Sequence, residues 1–261
     1  MNPELSYTPK PENAETSPAP QGFFSRLSGV YFSPGETFVG MASAPRALAP
    51  IIALVLLILV SSVISASRVP FEKIAESQIQ QRVASGRITE EQAEQQREGT
   101  RRIAPFMKYV IPIGALIWTV AIVFAFAGVA KLVSMMMGVE NKYMPLVSVT
   151  TYSMLAVYIV STVIFMILLF IKPIDEFDWT NPLGSNLAAL LSAVGVEGLP
   201  SFVKTLFTYV DLFYIWKVAL IAIGAAAVSH KLKTSSAMIY AGFVALIIAL
   251  LASVGGMLSG A

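Results

Sequence analysis

Residues 47–67 contain no charged side chain and are bracketed by Arg46 and Arg68. At 1.5 Å per residue the run reaches about 30 Å, the thickness of a bilayer's hydrocarbon core. Inside that core every backbone amide must find its partner within the segment, so the run is expected to be a membrane helix. The same feature recurs at residues 109–130, 143–171, 211–229 and 236–258, where Asp211 and Lys217 are the only charges. The expectation is an all-α polytopic membrane helical bundle of five transmembrane helices, with amphipathic interfacial helices beside them.

The stretches between the spans divide the rest of the chain. Residues 1–20 are polar and proline-rich and are expected to form a disordered tail rather than a signal peptide. In residues 21–46, Phe23, Phe24, Leu27, Val30 and Tyr31 recur at helical spacing with Arg26 off their face, and Ser33, Pro34 and Glu36 can start a second helix. Both are read as short helices lying in the membrane interface. Residues 47–261 are read as one five-helix membrane domain. Within it, residues 69–107 are strongly charged. Ser85-Gly86 breaks them and Thr89 with Gln92 restarts them as a capping box, which predicts a solvated helical hairpin. Gly138 is placed to end the second span. Residues 185–195 are too short to cross and are read as half-inserted, followed by another short amphipathic helix before residue 211.

Composition excludes several chemistries. The chain has no cysteine, which removes disulfides, thiolate nucleophiles and thiolate metal sites together. A net charge of +2 offers nothing to hold nucleic acid. The single histidine, His230, sits at a helix end beside Lys231 and is read as facing the headgroups. There is no Gly-x-Ser-x-Gly elbow, no phosphate-binding glycine loop, and no pair of facing membrane aspartates. No enzymatic activity and no cofactor are expected. Asp175, Glu176 and Asp178 lie close enough to hold a cation, but their spacing matches no calcium loop. They are read as a solvated acidic turn with Trp179 at the interface.

The charges inside the apolar runs carry what functional signal there is. Asp211 suits a helix start, where a carboxylate accepts free amide hydrogens. Lys217 is costlier, roughly 2.5–3.5 kcal/mol at the centre of a bilayer. Lysine side chains lean toward the helix N-terminus, so Lys217 is read as an anchor snorkelling toward the near interface, beside Trp216. A partner from residues 172–200, such as Asp175, Asp178 or Glu197, is the alternative, and an ion or substrate pathway the sharper one.

The segments FSPGETF at 32–38, FEKIAESQI at 71–79, ITEEQAE at 88–94, FDWTNPLGSNLAALL at 177–191 and DLFYIWKVALIAIG at 211–224 resemble the Yip family, and especially its bacterial branch. These are Ypt/Rab-interacting protein-like integral membrane proteins, and the resemblance covers about residues 24–258. It implies five membrane helices with a cytosolic N-terminus and a C-terminus across the membrane. Eukaryotic members assist vesicle trafficking and contact small GTPases and one another. Their Asp-Leu-Tyr-Gly-Pro motif is absent here, and the nearest match, Asp211-Leu212-Phe213, lies elsewhere in the fold, so small-GTPase binding is not carried over. The short-loop lysines Lys131, Lys142, Lys231 and Lys233 also favour a cytoplasmic N-terminus, and the expected location is a bacterial cytoplasmic (inner) membrane, although residues 68–108 oppose this orientation with eight Lys and Arg. The expected role is a membrane organiser or adaptor that binds other membrane proteins, or itself, through residues 23–45 and 69–107. The alternative is a small transporter or channel using Lys217 and the 185–195 segment.

Overall fold

A computed structural model describes residues 22–177, 179, 181–196 and 201–229, together with 239, 242 and 243. Its helices are α1 (Phe23–Phe32), α2 (Pro34–Ser43), α3 (Leu48–Ala66), α4 (Phe71–Ala84), α5 (Glu90–Met136), α6 (Tyr143–Ile171), α7 (Leu187–Ala193), α8 (Ser201–Thr208) and α9 (Leu212–Ser229). Among the described residues, α3, α5, α6 and α9 are long and apolar enough to cross a membrane. The fifth expected span, 236–258, lies outside the described residues except for three helical positions, as does His230.

Local chemistry sets the helix ends. Thr89 Oγ1 accepts from the Gln92 amide at 3.3 Å and Gln92 Oε1 accepts from the Thr89 amide at 3.0 Å, closing the capping box that starts α5. Gly138, at φ +69°, ends α5; its amide donates to the Met135 carbonyl and the Val139 amide to that of Ser134. Gly86, also at φ +69°, lets the chain turn between α4 and α5. The Ser33 cap differs from expectation. Its side chain caps nothing, and Pro34 instead begins α2 with φ already set for a helix. The hydroxyl at work is that of Thr37, which donates to the Ser33 carbonyl at 2.9 Å.

The centre of the bundle is α6. Every residue from Pro145 to Val157 on it is buried, because α1, α2, α3, α5 and α9 all pack against it. α3 runs beside α6 in the same direction. Ala47 and Val147 share one apolar cluster, and at the other end the Arg68 guanidinium donates to the Leu169 carbonyl at 2.7 Å. Arg68 also lies 4.4 Å from the centre of the Phe170 ring, so a cation bounds the apolar zone where α3 and α6 both end. α9 runs the opposite way. Gly224 meets Val149 so closely that a Cβ on Gly224 would overlap Val149 Cγ1 and press on Phe38 of α2. Small residues at such crossings are how membrane helices approach without a hydrophobic driving force between them.

α1 and α2 do more than lie in an interface. They fold into a hairpin whose Val30, Phe38 and Met41 are buried with Val149, Tyr152, Ala156 and Leu220. Arg26, expected to face away, is 2% exposed and donates to the Ala44 carbonyl at 2.9 Å, closing the hairpin at the end of α2. The Tyr31 hydroxyl donates to the Ala156 carbonyl of α6 at 2.6 Å, and its ring sits 6.1 Å from that of Trp216. α1 and α2 therefore belong to the same packed unit as the spans rather than to a separate layer.

At the turn between α5 and α6, Asn141 is 2% exposed. Its Nδ2 donates to Ser134 Oγ at 3.0 Å and to the Ala225 carbonyl at 3.3 Å, while Lys131 Nζ donates to its backbone carbonyl at 2.5 Å. One side chain thus joins α5, the turn and α9.

Candidate functional site

Two of the segments that stand out in sequence meet at the start of α9. The loop at 181–186 is held by Asn186, whose Nδ2 donates to Asn181 Oδ1 at 2.9 Å and whose Oδ1 caps α7 by accepting from the Ala189 amide at 2.9 Å. Gly184, at φ +59°, supplies the left-handed turn. Asn186 and Asp211 then pair as an isolated antiparallel bridge, with the Leu187 amide on the Val210 carbonyl at 2.9 Å and the Leu212 amide on the Ser185 carbonyl at 3.2 Å.

Asp211 is locked by this junction. Its Oδ1 accepts from the Tyr214 amide at 2.8 Å, capping α9, and its Oδ2 accepts from the Ser185 hydroxyl. The carboxylate therefore has two donors within its own neighbourhood and needs no cation to be satisfied.

Lys217 lies less than two turns further along α9. Its ammonium sits over three aromatic faces: Phe126 of α5 at 4.6 Å, Tyr214 of α9 at 4.9 Å and Tyr158 of α6 at 5.9 Å. All three lie within the ~6 Å range of a cation–π contact. The side chain does lean toward the helix N-terminus, as lysine must, but it ends in an aromatic cage. Tyr158 lies eleven residues along α6 from Val147, which is level with the start of α3. At 1.5 Å per residue, Lys217 thus lies about half-way along the zone bounded by Arg46 and Arg68. Three ring contacts, each about 0.5–2 kcal/mol, are of the size needed to offset the roughly 2.5–3.5 kcal/mol cost of an ammonium there. No carboxylate among the described residues comes within ion-pair distance of it.

Between Lys217 and Asp211 opens a cavity of about 300 Å³. Tyr158 and Ser161 line it from α6, Tyr209 from the turn after α8, and Asp211, Tyr214 and Lys217 from α9. Trp216 takes no part in this cavity and packs toward Tyr31. Asp175 lies in a single 3-10 turn, Ile174–Glu176, which the Phe177 ring ties to Phe165 of α6 at 6.0 Å. The Asp175 side chain, Asp178 and Glu197 fall outside the described residues. Among the described residues no three His, Cys, Asp or Glu side chains gather as metal ligands.

A model of the Yip1 domain matches residues 28–255. The chain belongs to the Yip1 domain family. Neither a curated protein nor a solved structure matches it significantly. The Yip1 match spans both the α1–α2 hairpin, from residue 28, and the Asp211–Lys217 region, so the packed hairpin and the cavity are both parts of the domain. Sequence alone singled out Asp211, Trp216 and Lys217. It missed Ser185, Phe126, Tyr158 and Tyr214. Tyr214 carried a local signal, standing three positions before Lys217 on a helix. Phe126 and Tyr158 carried none, because they belong to other spans.

Proposed function

We propose that this Yip1-domain protein is a non-enzymatic membrane organiser that recruits other membrane proteins, or copies of itself, through the α4–α5 hairpin. The observation that supports the reading is the uninterrupted course of α5, which runs from Glu90 in the hairpin to Met136 in the bundle. Its first eighteen residues project roughly 27 Å from the span at 1.5 Å per residue. α4 packs along this mast and turns a mixed-charge surface outward, with Arg82, Arg87, Arg101 and Arg102 exposed beside Glu72, Glu90, Glu91 and Glu94. Such a surface confers specificity and a salt-dependent encounter rate on a docking partner. The α1–α2 hairpin has spent most of its apolar face inside the bundle and is the weaker of the two expected docking segments.

The native chain is a cysteine-free background, so a single cysteine at Ser85, carrying a photo-crosslinker, tests this in intact membranes. A discrete adduct that disappears at high salt supports the reading. Only non-specific adducts, equal to those from a cysteine on the opposite turn at Lys142, sink it. In the proposed orientation the N-terminus is cytoplasmic in a cytoplasmic (inner) membrane. Arg68 bonding to Leu169 supports one part of this, since the α4–α5 hairpin and residues 172–177 then share a side, opposite Lys131 and Lys142. Impermeant labelling of cysteines at Ser17, Ser85, Ser185 and Ala261 tests it; label on Ser17 and Ala261 from the same side rejects the five-span arrangement.

A second reading, a small transporter or channel using Lys217 and the 185–195 segment, is favoured by the cavity that joins Lys217 to the Ser185–Asp211 junction. Flux in liposomes that Lys217→Met abolishes supports it, and no flux from the wild type removes it.

A further inference from the structure

We propose that α1 is a strap lying within the acyl layer of one leaflet, and that its outer stripe of Phe24, Ser28 and Phe32 is a contact surface for lipid acyl chains. This rests on neither functional reading above. Val147 of α6 is level with the start of α3, where Arg46 bounds the apolar zone. The Phe23 ring lies 6.0 Å from that of Tyr152, five residues further along α6, and the Tyr31 hydroxyl donates to the Ala156 carbonyl, nine residues further. At 1.5 Å per residue those levels are about 7 and 13 Å inside a zone whose midplane lies at about 15 Å. α1 itself is about 15 Å long, so it crosses α6 obliquely and stays within that half. Both ends are pinned. Phe23 and Leu27 pack against the cluster of Ala47 and Leu54 on α3, and the Tyr31 ring packs toward Trp216 of α9.

The two sides of α1 differ. Arg26 and Val30 are turned inward and buried, whereas Phe24 is 80% and Phe32 87% exposed. Positions 24, 28 and 32 recur every four residues and form one exposed stripe along the outer side. Two open rings at a depth without water are matched by acyl chains. α1 starts beside α3, whose Leu48, Ile52 and Leu56 are also exposed, so the stripe extends a lipid-facing surface across α6. The Ser28 hydroxyl donates to the Ser25 carbonyl at 3.1 Å and needs no water. The hairpin's one acid, Glu36, lies on the returning limb. Phe38, two residues on, packs with Val149, only about 3 Å inside the zone, where a charge costs less than at the midplane.

The test uses the full cysteine-free chain in phosphatidylcholine nanodiscs. A nitroxide is attached to Phe24→Cys, Ser28→Cys or Phe32→Cys in turn. Ile52→Cys on α3 is the lipid-facing reference, and Ser85→Cys in the α4–α5 turn is the aqueous one. Power saturation reads collisions with oxygen, which concentrates among acyl chains, and with a nickel chelate, which stays in water. The expected oxygen-to-nickel ratio at all three positions is within about twofold of that at Ile52 and roughly tenfold above that at Ser85. Ser28→Cys is nearly isosteric, so it decides the matter if Phe24→Cys or Phe32→Cys loses the wild-type thermal midpoint. A ratio at Ser28 equal to that at Ser85 overturns the proposal, because the stripe then faces water. Few collisions with either reagent at Ser28 overturn acyl chains as the occupant, because protein, from residues 236–258 or a second copy, then covers the stripe.

Discussion

Two helical hairpins flank the bundle, a short one of two 10-residue helices, α1–α2, and a longer one made by α4 and the start of α5. α1–α2 is absorbed into the core and α4–α5 stands outside it. The difference lies in what their inner faces offer. α1–α2 brings Val30, Phe38 and Met41, buried to 1% exposure or less, against α6 and α9. Its two helices approach closely because Gly29 has no Cβ to strike Thr37. Its one cation, Arg26, is turned inward onto a helix-end carbonyl, where it favours the negative pole. The α4–α5 hairpin buries only Ile79 and Ala93. Its central cation, Arg97, faces three carboxylates instead: Glu76 at 3.1 Å, Glu90 at 2.9 Å and Glu94 at 3.1 Å. Those neighbours push its guanidinium's proton affinity above the usual arginine range. Apolar shape fixes one hairpin to the membrane domain, and solvated charge holds the other together away from it.

The contrast can be broken most sharply at Phe38. Phe38→Ala empties a site shared by α2, α6 and α9, and a large loss is expected, up to the about 3–5 kcal/mol typical of a buried Phe→Ala change. It should appear as a lower thermal midpoint in detergent, with protease cutting newly admitted near residues 33–45. Retention of the wild-type midpoint means that the hairpin is not part of the core. Gly224→Leu attacks the same junction from α9 by overpacking, with an expected cost of about 1–3 kcal/mol, read on the same melt. The paired change Gly224→Ala with Val149→Ala should recover more than the single changes predict, since the Cβ then has room. Tyr31→Phe removes only the hydroxyl that reaches Ala156 and should cost about 0.5–1.5 kcal/mol. Arg97→Gln lies at the small end. The global midpoint should stay put, because the carboxylates paired with Arg97 are open to solvent, where ion pairs contribute little, while amide exchange in α4 speeds up. A global loss after Arg97→Gln as large as that after Phe38→Ala would erase the distinction between the two hairpins.

The same physical split explains how much of the site was legible. Asp211 could be read as a cap because a carboxylate before an apolar run needs only its own helix to act. Thr89 and Gln92 were legible for the same reason. Ser33 shows the limit. Its spacing to Glu36 satisfies the capping pattern, but Pro34 already removes an amide at the helix start, and the backbone at Ser33 adopts a conformation in which its hydroxyl caps nothing. Lys217 was legible as anomalous and not as caged. Its leaning direction follows from helix geometry, whereas the end of that lean depends on Phe126 and Tyr158, brought there by two other spans.

Sequence by itself determined a helical membrane protein of the Yip1 domain family, the stretches that form the four membrane-length helices among the described residues, and the turns at Gly86 and Gly138. These follow from hydropathy, 3.6-residue periodicity and end-capping, all of which act within one turn or one bilayer thickness of a residue. Only the tertiary structure decided that α1–α2 is core, that the 181–186 loop grips Asp211, and that Lys217 sits among aromatic rings in a cavity. Those outcomes depend on helix order and register, and on where a missing Cβ lets two backbones meet, which no single helix encodes.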